Sequence, residues 1–446
     1  MTIAFVAETT NTATSSATSI ATTLASTVVG NLNIVGVSNF QGGALGSPTT
    51  LAAPSGWTVL LSGAGFLVCY RLYQSGDPTS MTVTSSGAAY LASGCAAYSG
   101  VDATTPVETY TSWIGASQPT ATTAQVNLPY IKAPSAAPNH ANDMLVTVMG
   151  LTFDGSSPQT ISTPSGMTSR VANTYGPSLY MFDEQLSSGS PTGDKFASWS
   201  EPTNNAVSNM GMNILLKTSG DATTGTGAYI FNAGSLGAIN FGSSTSFQGN
   251  LAWVKPQVGD LIIADFMAAA STITPPAGWN ALQSSGTCQQ FYTIWNSSSS
   301  LTPTFSVSSG TTYASVVFNV YRAQNAPGYS PVLDSHSLTT VSSGTSIASA
   351  AISPVSTNEL LHVFFGTPES SGVATFTAPG GVTPTISSIY TPSAMVCDMP
   401  APVTNPTATY TATLSVTAAL VCLVNLIKLT AVTPLAQARP MQMIIC

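Results

Sequence analysis

Charge is what this sequence has least of. Its 446 residues include 9 Lys plus Arg and 17 Asp plus Glu, so 6% are charged and the formal net charge is −8. Ordinary soluble domains carry about 25% charged residues. So few cations exclude a nucleic-acid binder, which needs a basic face to meet phosphates. They also exclude a polybasic protein of membrane surfaces. Missing e/g charges and leucine heptads exclude a coiled coil. Glu and Lys are nearly absent, and Thr, Ser and Gly stand where a helix surface would need them, so no long amphipathic helix is expected. Disorder is excluded from the other side: 43% of the residues are hydrophobic, and disordered chains are poor in apolar residues and rich in charge.

Cysteine is scarce and scattered. Cys69, Cys95, Cys288, Cys397, Cys422 and Cys446 contain no C-x-x-C pair, so neither a zinc site nor a thioredoxin-like motif is expected. Six are also too few for a disulfide scaffold of this length. Cys69 and Cys95 fall on strands of one module, and Cys397 and Cys422 on strands of another. They read as buried thiols, with a bridge inside either module as the alternative. Residues 1–7 have no basic segment and only a short apolar run, so a cleaved secretory signal is not expected. Residues 411–429 are uncharged until Lys428 and nearly long enough to cross a bilayer. Their Ser/Thr content and their alignment with strands elsewhere make them a core strand, with no membrane insertion expected.

Enzyme templates are missing as well. There is no G-x-S-x-G elbow, no H-E-x-x-H, no Walker A and no strand-linked G-x-G-x-x-G. His140, His336 and His362 lie in different modules and read as solvated or packed histidines, so no catalytic centre and no transition metal is expected. The densest acidic group is Asp143, Asp154, Asp183, Glu184, Asp194 and Glu201. It reads as solvated surface charge, with calcium in oxygen-rich loops as the lesser alternative. Paired carboxylates for glycoside hydrolysis would need a defined separation across the bond.

What the chain does have is a repeat. Pro-x-Gly followed by an apolar residue occurs as Pro54-Ser-Gly-Trp57, Pro164-Ser-Gly-Met167, Pro276-Ala-Gly-Trp279 and Pro379-Gly-Gly-Val382. The spacings are 164−54=110, 276−164=112 and 379−276=103. Upstream of each signal stands a polar turn and then an apolar run, such as Gly259-Asp-Leu-Ile-Ile-Ala-Asp-Phe266. Downstream come an apolar or aromatic segment, a Thr-rich alternating segment and a closing segment of small and apolar residues. Apolar runs with β-branched and aromatic residues between Gly/Pro/Asn turns read as strands. Some seven or eight short strands in about 105 residues form an antiparallel β-sandwich that can bury its own core.

The expected fold is therefore all-β: four tandem antiparallel sandwiches, Ig-like or jelly-roll-like, joined end to end. Their boundaries fall at 1–102, 103–222, 223–327 and 328–432, with residues 433–446 as a C-terminal tail. Trp57, Trp279 and Trp295 sit where the repeat predicts core. Tyr110, Trp113 and Tyr130 lie in the less repetitive lead-in of the second module and are the candidates for an exposed contact surface. In the tail, Met441, Ile444 and Ile445 would expose apolar surface if left in water, so a contact with another subunit is expected there.

At this point the chain resembles a known group. Module one has P-S-G-W at 54–57, Tyr70-Arg71 on an aromatic strand, and Ala96-Ala-Tyr98-Ser-Gly-Val-Asp102 at its close. This is similar to the β-sandwich modules of tailed-bacteriophage virion proteins, of the tail-fibre and capsid-surface-fibre type. Module three keeps Pro276, Gly278, Trp279 and Val320-Tyr-Arg322, and modules two and four diverge. The motifs are turn and core residues, so they carry a fold and a setting rather than a ligand. The resemblance implies a non-enzymatic virion structural protein, a tail or head appendage or decoration. Its partners would be other virion proteins, further copies of itself, and a host surface glycan or protein. No cofactor is implied. The rival reading is a bacterial cell-surface adhesin or carbohydrate-binding protein, which would have to cross a membrane.

Overall fold

A computed structural model of the chain describes residues 2–40, 49–63, 65–118, 130–136, 142–153, 160–174, 177–187, 192–199, 206–218, 228–268, 272–324, 328–353, 359–368, 374–387, 393–400 and 409–431. They are almost wholly β. The first set of strands is β1 (Ala4–Thr23), β2 (Leu32–Phe40), β3 (Leu51–Ala52), β4 (Thr58–Gly63), β5 (Phe66–Leu72) and β6 (Ser80–Ser99). The second is β7 (Val107–Gln118), β8 (Tyr130–Ala133), β9 (Met144–Phe153), β10 (Thr168–Asn173), β11 (Ser178–Gln185), β12 (Lys195–Ser198) and β13 (Ala206–Leu216). The third is β14 (Tyr229–Gln248), β15 (Leu261–Ala268), β16 (Ile273–Thr274), β17 (Asn280–Ser284), β18 (Cys288–Ile294) and β19 (Thr304–Gln324). The fourth is β20 (Tyr329–Ala348), β21 (Leu360–Thr367), β22 (Phe376–Thr377), β23 (Pro384–Ser387), β24 (Ser393–Pro400) and β25 (Thr411–Ala431). The apolar segment at 411–429 is thus part of a strand, and no helix among the described residues is long and apolar enough to cross a membrane.

One strand order recurs in all four sets: β1-β6-β2-β5-β4, β7-β13-β9-β11-β10, β14-β19-β15-β18-β17 and β20-β25-β21-β24-β23. A one-residue bulge recurs in each first strand, between Phe5 and Ala7, Val107 and Thr109, Asn232 and Gly234, and Leu333 and Ser335. The Pro-x-Gly signal has a backbone reason. Gly56, Gly166, Gly278 and Gly381 all have positive φ, between 78° and 87°. In three of the turns the residue after Gly donates its N–H to the proline carbonyl, as from Trp279 to Pro276 at 3.3 Å. A turn with positive φ at its third residue needs glycine there.

Each set folds over its own core, and the long closing strand supplies both layers. Along β6 the first half alternates buried and exposed, while the second half is buried on both faces. Met81 and Val83 of the first half pack with Ile20 and Leu51 against Val35, Val37, Leu67 and Cys69. The second half carries Ala96 and Tyr98 on the opposite face, where a further layer is needed. All nine residues of β2, and all eight of β15 and of β21, are likewise buried.

That further layer is the next module, so the modules are not joined end to end as expected. Leu32, Ile34, Phe66, Val68 and Tyr98 of module one share a core with Val146, Val148, Met181, Met212 and Ile214 of module two. Modules three and four stack in the same way, through Ile263 and Tyr321 on one side and Leu360 and Ile427 on the other. A strand apolar on both faces cannot leave one of them wet, and this selects stacking over a string of beads. Modules two and three join differently. Their first strands pair in parallel, from Ile114↔Gly234 to Gln118↔Ala238, and merge two sheets into one of 11 strands. On one face of this sheet Ile114 enters the core shared with module one. On the other, Trp113 enters a cluster with Phe364, Val396 and Leu423 of module four. Modules one and four therefore cover opposite faces of one continuous sheet.

Candidate functional site

An open cleft of about 430 Å³ lies where modules one, two and three meet. β4 and β5 supply Thr58, Val59, Leu60 and Tyr70, β7 supplies Glu108, Tyr110 and Ser112, and β19 supplies Arg322 and Gln324, with Gln257 from a loop. The strands are placed by the layering: the β4–β5 edge of module one overhangs the parallel joint of the other two. Tyr110 is 40% exposed and Val59 45% exposed on the rim. The Arg322 guanidinium is already held, with Nη2 donating to Asp260 Oδ2 at 2.8 Å and to the Lys255 carbonyl at 3.1 Å. Gln324 Nε2 donates to Thr109 Oγ1. An open, mostly polar cleft with aromatic edges and an arginine neutralised by its own aspartate suits a neutral polar ligand better than an anion.

The residues expected to form a contact surface do not stay together. Tyr110 lies in the cleft. Tyr130, at the start of β8, is half-buried and meets Phe196 edge to face at 6.4 Å. Trp113 is a correction: it is fully buried, because its face of β7 meets module four. Its Nε1 reaches Ser235 Oγ at 3.5 Å. Met441, Ile444 and Ile445 lie outside the described residues, as do His140, Asp154, Glu201 and Cys446. Trp295 is buried, and Trp57 and Trp279 are half-buried against their module cores. Cys69, Cys95, Cys288, Cys397 and Cys422 are free and buried, and burial raises the Cys95 thiol to about 12.

Three members of the acidic group of module two, Asp183, Glu184 and Asp194, are held by cations. Arg170 Nε donates to both Asp183 oxygens at 2.8 Å. Lys195 Nζ lies 2.6 Å from Glu184 Oε2, and Lys132 Nζ lies 3.0 Å from Asp194 Oδ2. Among the described residues no group of three or more His, Cys, Asp or Glu is arranged to hold a metal ion.

A second polar constellation lies where modules three and four stack. His362 Nε2 is 3.2 Å from Asp265 Oδ2, an ion-pair contact not aligned as a hydrogen bond. His362 Nδ1 is 2.5 Å from the Tyr321 hydroxyl and 3.4 Å from Asp398 Oδ1. Tyr321 donates to Asp398 Oδ1 at 2.7 Å, and Asn232 Nδ2 and Thr385 Oγ1 donate to Oδ2 at 2.6 and 3.1 Å. Gln290 and Asn319 donate to Asp265 at 2.6 and 3.2 Å. Burial alone would lower the imidazole pKa, but Asp265 and Asp398 outweigh it and raise it to about 9. Burial would raise the Asp398 carboxyl, yet His362, Lys132 and Tyr321 hold it well below the usual carboxylate range. The histidine thus lies buried between two carboxyl groups that favour its charged form.

Reasoning from sequence missed Asp265, His362 and Asp398 as a group. A signal was present: each interrupts an apolar strand, in Ile-Ile-Ala-Asp265-Phe, Leu-Leu-His362-Val-Phe and Met-Val-Cys-Asp398-Met. A charge in such a run must find an answering group across the next layer. His362 and Asp265 have no exposed surface, and the cluster joins modules three and four.

No family model matches this chain, and no curated relative matches it.

Proposed function

We propose that this chain is a non-enzymatic structural protein of a bacteriophage virion, a tail or head appendage whose modules serve as spacers and contact surfaces. The observation that carries the reading is how the apolar strand faces are used. Module stacks on module and sheet continues into sheet, so four small sandwiches become one body. That suits a part that must hold its shape between other parts. The sparse charge supports it too, since Ser, Thr and Ala surfaces lose little rotamer entropy and little hydration when subunits pack side by side. Gold-labelled antibody against the chain, applied to intact particles, tests this reading. Label at a fixed place on head or tail is expected, and particles that carry the chain in their genome yet never take label would overturn it.

The cleft favours a second role within the same reading, or the rival one of an adhesin or carbohydrate-binding protein. Tyr70, Tyr110 and Gln257 offer ring faces and an amide to a neutral glycan or a protein loop of the host surface. Tyr110→Ala should weaken binding to host cells while leaving the melting temperature unchanged.

A further inference from the structure

We propose that copies of this chain join head to tail, with β1 of one copy lying parallel beside β20 of the next, as β7 lies beside β14 within the chain. The proposal deepens the reading of a self-assembling structural protein by naming the surface. β1, β7, β14 and β20 are the same strand of the repeat, with the same entering bulge. Two of them have found each other. The other two end their sheets, in the orders β1-β6-β2 and β20-β25-β21.

These open edges lie in different stacked pairs, one in module one and one in module four. β1 sits over β10, the strand of module two farthest from the parallel joint. Asn173 at the end of β10 donates from Nδ2 to the Asn11 carbonyl at 2.9 Å, and its Oδ1 accepts from the Thr12 hydroxyl at 3.0 Å. In the other half, Asn232 of β14 reaches Asp398 of β24, and Gln283 of the outer strand β17 lies 3.4 Å from Asn425 of β25. β20 lies one strand beyond β25, at the end of its sheet.

Among the described residues no further strand pairs with either edge. Exposed edges are commonly short, or carry lysine, proline or a covering segment. Each of these strands is 20 residues long. β1 has Glu8 as its one charge and contains neither Lys nor Pro. β20 has Pro331 near its start, and its one acid, Asp334, is paired with Lys428. The entering bulge does not bar pairing, because β7 and β14 have it and still pair; β1 breaks its pairing with β6 again between Ala13 and Ala17.

The repeat also sets the register. β20 breaks its pairing with β25 between Leu333 and Ser335, Val341 and Gly344, and Gly344 and Ser346, and β14 breaks its pairing with β19 in the same sequence, with the second and third breaks one residue further from the entering bulge. β20 thus takes the part of β14, and β1 that of β7. Counted from the bulge, Ile114 corresponds to Thr12 and Gly234 to Ser335. Residues 12–16 of one copy then lie beside 335–339 of the next, with Thr14 opposite Ser337. Such a contact uses two different edges, so it repeats into a filament or closes into a ring.

Cross-linking of the purified full chain tests this. A Thr14→Cys protein mixed with a Ser337→Cys protein should give a covalent dimer containing one of each on oxidation, and the double variant a ladder. Thr14→Lys and Leu338→Lys should each remove every species larger than the monomer in light scattering. Thr168→Lys on the β10 edge should not, and all three should keep the wild-type melting temperature. A wild-type chain that stays monomeric at its highest soluble concentration would overturn the proposal. So would assembly that survives both edge variants and is lost on deleting residues 433–446. Either result leaves the position in the particle to the gold label, which does not depend on how copies join.

Discussion

Replacing His362 by leucine would leave Asp265 and Asp398 in a buried layer with no cation between them. Breaking a buried ion pair by removing one partner costs about 3–5 kcal/mol. The wild-type chain should show this contribution in its pH dependence. An unfolded histidine titrates near 6.5, and His362 in the fold near 9. Its contribution is fully present below about 6.5 and is lost as the pH rises through about 9. Asp398 has the opposite sign: its carboxyl is depressed, so its contribution is present above the unfolded carboxylate value of about 3.9 and is lost as the pH falls below it. Urea midpoints measured from acid to alkaline pH should fall at both ends for the wild type. His362→Leu should lose the alkaline fall between about 6.5 and 9. A variant with an unchanged alkaline limb would show that His362 is not the charged partner. These charges could be seen in the sequence as misfits in apolar strands. Which of them face each other is set by the stacking of two modules, and local sequence does not encode that.

At the scale of the element, the repeat is a list of backbone requirements. Gly278 has a φ of +87° and nothing within 4 Å of where a Cβ would stand. Gly278→Ala should therefore cost only the left-handed backbone term, about 1–2 kcal/mol, with no packing loss. Equilibrium unfolding of that single variant measures it. Trp113 on β7 is the reverse case, because its cost is all in packing. Trp113→Ala should destabilise by about 3–5 kcal/mol, and it should loosen the contact of module four with the joint, read as faster hydrogen exchange in β21 and β24. The turn glycines were legible because φ is a local property. Trp113 was misjudged because lead-in residues that vary between modules look like surface. Here they vary because, among the first strands of the modules, this one both pairs with β14 and meets module four.

At the scale of the molecule, stacking means that a module is not a free unit. A fragment of residues 1–102 would expose Leu32, Ile34, Phe66, Val68 and Tyr98 on one sheet face. It should bind a hydrophobic dye and self-associate, whereas residues 1–222 should be soluble and bind little dye. A soluble, dye-silent 1–102 fragment would contradict the stacked arrangement. Low charge has a reason at this scale as well. With one face of each main sheet turned to its own core and the other to a neighbour, little of the strand surface is left to carry charge.

The sequence by itself determined the all-β class, the repeat, the turns and the buried thiols. Each of these depends on φ preferences, side-chain size or alternation, which act over a few residues. The tertiary structure alone decided that modules stack in pairs, that β7 meets β14 in parallel, and that Asp265, His362 and Asp398 form one ionic cluster. Those contacts join residues tens to more than a hundred positions apart, and the same apolar strand face would satisfy its burial against any layer of matching shape. Complementarity between whole faces makes the choice, and no single stretch of the chain contains it.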